Sequence, residues 1–165
     1  MRAALRAIVV LIIVAAIAVL VYFFRAPEAS TPAAESAESG VAAASLTLAR
    51  FGMVLQQVSL LAPSASSTIA AQYAPYVAPA LLLEWESDPS VAPGREVSSP
   101  WPDHVEITSA AAQGNAVNLA GNIVLMTSNE VEHGGNAGLI PFTATISNVG
   151  GSWLITNFSE SSPQQ

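Results

Sequence analysis

The sequence predicts an α+β domain, about three helices packed on a four-stranded antiparallel sheet, behind an N-terminal transmembrane helix. Three observations lead there. First, residues 140–147 read Ile-Pro-Phe-Thr-Ala-Thr-Ile-Ser, apolar at every even position and polar or proline at every odd one. That is the period of a strand with one buried face. Comparable runs occupy 105–110, 117–128 and 153–158. Gly114-Asn115, a loop around Gly134-Gly135-Asn136, and Gly150-Gly151 punctuate them as hairpins. Second, a sheet with one apolar face must cover it, and residues 41–99 carry helical periodicity that supplies the cover. Third, residues 7–24 are uncharged and apolar throughout.

The N-terminal segment, residues 1–25, reads as a signal anchor. Eighteen helical residues span roughly 27 Å at about 1.5 Å each, close to the hydrocarbon thickness of a bilayer. Tyr22, Phe23 and Phe24 stand where aromatic rings favour the interface. Arg2 and Arg6 lie on the short side, so the positive-inside rule keeps the N-terminus cytoplasmic and the rest of the chain extracytoplasmic. A cleaved signal is the competing reading. The apolar run is longer than a typical signal core, and Arg25 follows it directly, which favours an uncleaved anchor in the cell membrane. The bilayer is thus one expected partner, through residues 7–24.

Residues 26–40 contain no large apolar side chain and read as a disordered Ala/Pro/Ser/Glu linker. The extracytoplasmic domain is expected over 41–160, with 161–165 as a disordered tail. From residue 26 onward, Arg50 and Arg95 stand against all twelve acidic residues, a formal charge of −10 from two positive and twelve negative groups. Such a surface repels phosphate backbones, which excludes nucleic acid as a partner. Cysteine is absent, so disulfides and thiolate metal sites are excluded.

Within the domain, Val41, Leu48, Phe51, Leu55, Val58 and Leu61 form one helical stripe that Pro63 ends. Ser66-Ser67-Thr68 offers a cap for a short second helix carrying Ile69 and Tyr73. A third helix runs from Tyr76 to Trp85, with Pro79 near its start and Trp85 as a core anchor. Glu84, Glu86 and Asp88 read as a solvated helix end rather than metal ligands. Glu130, Glu132 and His133 read as a mobile hairpin end. No metal site and no cofactor are expected.

Two places invite function. Pro100-Trp101-Pro102-Asp103-His104 precedes the first strand, and prolines hold Trp101 extended. In the structural reading its indole plugs the seam between helices and sheet. In the functional reading Trp101, Asp103 and His104 line the mouth of a ligand pocket there. Adjacent strand residues point to opposite faces, so a hydrogen bond between Asp103 and His104 is not expected. The second place is the later half of the strand at 117–128. Val124 and Met126 oppose Ile123 and Leu125, so both faces are apolar. Either a bulge at Gly121 flips the register, or Val124 and Met126 form an interaction face for a homodimer or an envelope protein partner.

The order of three helices then four antiparallel strands resembles the nuclear transport factor 2-like (cystatin-like α+β) superfamily. Tyr76-Val77-Ala78-Pro79-Ala80-Leu81-Leu82 is similar to the start of its third helix. Gly151-Ser152-Trp153-Leu154-Ile155 is similar to its closing strand. Pro93-Gly94-Arg95 and the run from Ser98 to Asp103 resemble small membrane-anchored bacterial proteins with an extracytoplasmic domain of this type. The resemblance implies a cone-shaped domain, and inward-looking positions filled by Val, Leu, Ile, Phe and Ala favour a non-catalytic binding or assembly module of the bacterial cell envelope. The alternative it leaves open is an extracytoplasmic enzyme, an isomerase or hydrolase, using the cone pocket near Trp101, Asp103 and His104.

Overall fold

The computed structural model describes residues 32–161, with side chains from residue 36. The anchor expected at 7–24 lies outside the described residues. Among those described, no helix is long and apolar enough to cross a membrane.

The first helix, α1, covers Pro32–Gly52. It therefore takes in residues 32–40, which the sequence assigned to the linker. Alanine-rich sequence is the best helix former, and proline at the first position fits the free N-terminal turn. Gly40, Ala44, Leu48 and Phe51 form its buried stripe. The small residues let the helix approach β4, since a Cβ on Gly40 would stand 3.1 Å from the Trp153 ring. The Thr47 hydroxyl donates to the Trp153 carbonyl at 3.2 Å. At the other end, a Cβ on Gly52 would meet Val105 at 2.9 Å. Here the helix stops, well before Pro63. Leu55 sits in a 3₁₀ turn at Leu55–Gln57, Val58 is buried in extended chain, and Leu61 is 78% exposed.

Helices α2, Ala65–Tyr73, and α3, Pro79–Ser87, follow. Pro79 occupies the first turn of α3, as its preset φ favours. Trp85 is the core anchor expected. It is 2% exposed, stacked on Phe51 at 6.1 Å, with Tyr73 and Phe158 edge-on at 5.9 and 6.4 Å. Between α2 and α3 the backbone of residues 76–78 lies along β4. Ile155 N–H donates to the Tyr76 carbonyl at 2.8 Å, and Ala78 N–H donates to the Ile155 carbonyl at 2.9 Å.

The sheet is an antiparallel meander, β1-β2-β3-β4. Its strands are β1 Trp101–Gln113, β2 Ala116–Met126, β3 Gly138–Val149 and β4 Ser152–Glu160. Gly114, Gly150 and Gly151 take positive φ at the two tight turns. The inner face carries Val117, Leu119, Ile123, Phe142, Ala144, Ile146 and Ile155 into the core with the helices. The irregularity expected at Gly121 lies instead in β1, between Ile107 and Ser109, and β2 keeps unbroken register with β3. Gly121 is needed because a Cβ there would stand 2.0 Å from the Glu106 carbonyl oxygen. The connection from β2 to β3 is also more ordered than a mobile loop. Ser128–His133 forms a short helix, α4, with Thr127 and Glu130 in a reciprocal capping box.

Candidate functional site

The helices cover only part of the inner sheet face. At the end formed by the start of β1, the end of β2, the start of β3 and the end of β4, a cleft of about 530 Å³ remains. Each strand contributes to its floor: Pro102, Leu125, Ile140 and Phe158. The opposite wall is the chain from Ser90 to Val97. That wall is irregular in conformation yet held at several points. The Tyr73 hydroxyl, buried in the core, donates to the Pro93 carbonyl at 2.6 Å. Arg95 N–H donates to Val58 O at 2.8 Å, and Leu60 N–H donates to Arg95 O at 3.0 Å. Gly94 permits this contact, because a Cβ would press on Leu60 at 2.9 Å. A 3₁₀ turn at Pro89–Val91 starts the wall, capped by the Asp88 carboxylate, which accepts from Ser90 N–H at 3.1 Å.

Two carboxyl groups enter this cleft, Glu96 from the wall and Glu160 from β4, and Ser90, Ser159 and Ser161 also line it. Glu160 pairs with Phe142 across β3 and β4, which puts it on the inner face. Glu160, like Glu96, is an exposed residue at the cleft mouth. Desolvation of its carboxyl, and then the nearby Glu96 charge, push its pKa up to about 7. Tyr73 is raised as well, first by burial and then by the Glu160 charge. No Arg or His lines the cleft among the described residues.

The sequence-predicted residues lie elsewhere. Val105 and Ile107 pack on the core, so His104 and Glu106 face the other side of the sheet. The seam beside the helices is filled by Pro102, which is buried, rather than by Trp101, which is half-buried and pairs with Met126. The structure does unite Asp103 and His104. Asp103 is the extra residue of a bulge between Pro102 and His104, which brings its carboxylate beside the imidazole. Asp103 Oδ2 and His104 Nδ1 are 2.9 Å apart, and Glu106 Oε1 lies 3.8 Å from His104 Nε2. Strict strand alternation could not anticipate this pair. None of Trp101, Asp103 and His104 lines the cleft.

Val124 shares the outer face with His104 and Leu139, its register partners. It is 4% exposed, so it is enclosed within the chain itself, and α4 contacts its strand. Met126 is half-buried. Among the described residues, no group of three or more His, Asp or Glu side chains is placed to hold a metal ion. Glu84 and Glu86 belong to the end of α3, and Asp88 is engaged as a cap.

The sequence reading did not single out Glu96 and Glu160. Strand alternation from the inward Ile155 would turn Glu160 outward, and the irregularity at Thr156 that brings it to the inner face leaves no mark in the sequence. No family model matches this chain, and neither a curated protein nor a solved structure matches it.

Proposed function

We propose that this protein is a non-catalytic binding module, held outside a cell membrane by residues 7–24, that takes a small, largely apolar ligand in the cleft. The observation that carries the reading is the cleft itself. A concave site of about 530 Å³, floored by all four strands and walled by a braced loop, falls in the range of small-molecule sites. The cone expected from the nuclear transport factor 2-like resemblance agrees with this element order, and the tether rests on the uncharged run before Arg25. A ligand is favoured over a protein partner on the outer sheet face because Val124 is already enclosed. The enzyme reading is weaker, because Asp103 and His104 face away from the cleft.

The test is calorimetric titration of the full chain in zwitterionic nanodiscs with 3-phenyl-1-propanol, using empty nanodiscs as blank. Saturable binding is expected, and Val97→Trp, which enlarges an exposed side chain of the cleft wall, should abolish it. Binding that Val97→Trp leaves intact would place the ligand elsewhere. A C-terminal alkaline-phosphatase fusion tests the orientation: activity is expected, and an inactive fusion would overturn the extracytoplasmic placement.

A further inference from the structure

We propose that the second half of β1 is a docking edge for a second copy of this chain, whose own β1 adds antiparallel to it and joins the two sheets into one. The proposal goes beyond the cleft and does not depend on it.

The two edges of the sheet are β1 and β4, and the chain treats them differently. β4 is covered at Ile155, where residues 76–78 bond to its backbone. Among the described residues β1 has no such cover. Exposed edges are normally guarded by charge, proline or bulges, because their outward N–H and C=O groups recruit another strand. The first half of β1 has all three guards: Pro102, the charged Asp103 and Glu106, and irregularities after Pro102 and after Ile107. From Ser109 to Gln113 there is none. This part reads Ser-Ala-Ala-Ala-Gln, keeps even register with β2, and is exposed at every residue.

The turn that follows fixes which backbone groups point outward. Gly114 takes a φ of 62° and Asn115 a negative φ, so a two-residue turn with glycine first closes the hairpin, and Gln113 and Ala116 exchange hydrogen bonds. By alternation Ala111 also bonds to β2, while the N–H and C=O of Ala110 and Ala112 face away from the sheet. No group among the described residues bonds them. An extended strand is the structure that matches such a row.

Symmetry and charge favour a second copy as that strand. With a two-fold axis at Ala111, Ala110 of each copy exchanges both hydrogen bonds with Ala112 of the other, so every outward group finds a partner. Two domains this acidic repel each other over most of their surface. No charged residue lies between Glu106 and Glu130, however, so the strands meet without a like-charge cost. An acidic peptide would be repelled by the domain, and a basic one would find no carboxylate along this part of the edge. The alanine side chains leave both faces of the strand clear. Pairing uses the free edge of both copies, so the assembly closes at two.

The chain has no cysteine, so a single introduced one reports alone. The experiment reconstitutes the full chain carrying Ala111→Cys in phosphatidylcholine vesicles, oxidises it with copper phenanthroline and follows the dimer on non-reducing gels. The two-fold pairing sets the Cα atoms of residue 111 about 4.5 Å apart, within disulfide reach. The dimer should form at least about tenfold faster than with Ala71→Cys, an exposed position on α2, since paired thiols meet at raised effective concentration. Ala112→Pro removes an outward N–H and no bond to β2, and Ala110→Lys places a charge on the edge. Either, added to Ala111→Cys, should slow the dimer about tenfold, and circular dichroism melting checks that the fold is kept. A dimer no faster than that of Ala71→Cys would leave the edge to another occupant or to water, and overturns the proposal. So does a fast dimer that neither Ala112→Pro nor Ala110→Lys slows.

Discussion

Glu160 shows how one side chain links stability to the site. Its folded pKa lies near 7 against an ordinary value of 4.5. Below about 4.5 it is protonated in both states and contributes nothing to pH dependence. Between 4.5 and 7 the unfolded chain gives up the proton first, so stability falls as pH rises, and above 7 the loss is complete. Glu160→Gln should therefore raise Tm at pH 8 by roughly 2–5 °C and leave it nearly unchanged at pH 4.5. An equal shift at both pH values, measured by circular dichroism melting, would contradict this. Tyr73→Phe removes the hydroxyl that holds Pro93, and should cost about 1–2 kcal/mol in urea unfolding. His104→Ala, by contrast, should leave phenylpropanol affinity within about twofold, because the imidazole faces the opposite side of the sheet. A large loss of binding there would return the site to Asp103 and His104.

At the level of elements, strand parity was the most legible feature. The alternation at 140–147 located β3 and its buried face, and glycines marked the turns correctly. The helix caps were less legible because their reasons are tertiary. Gly52 ends α1 where the helix meets Val105, a contact that no local propensity encodes. The start of α1 was misread in the other direction: alanine, serine and glutamate suit a tether and a helix alike, and the Gly40–Trp153 contact joins residues more than a hundred positions apart. The bulge at Asp103 was invisible for the same reason, and with it the meeting of Asp103 and His104, whereas the one between Ile107 and Ser109 left a mark on the partner strand at Gly121. Gly121 offers a sharp test. Its missing Cβ would collide with the Glu106 carbonyl, so Gly121→Ala should cost about 2 kcal/mol or more, whereas Gly114→Ala strains only an exposed turn and should cost about 1 kcal/mol. Equal midpoints for the two variants in urea would show that β1 and β2 do not approach as described.

On the scale of the whole molecule, the domain divides its sheet unequally. The aromatic cluster of Phe51, Tyr73, Trp85 and Phe158 closes the inner face beside the cleft, which is left open. Phe158 belongs to both, so packing and site share a wall. Trp85→Ala should destabilise the protein by about 3–5 kcal/mol, measured by urea unfolding, and disturb the cleft through Phe158. The most direct test of the cleft is a methyl NMR titration of the full chain in nanodiscs with 3-phenyl-1-propanol. The account predicts shifts at the methyls of Val97, Leu125 and Ile140, with Val124 and Met126 unmoved. Shifts centred on Val124 and Met126 would contradict it and place the binding face on the outer side of the sheet.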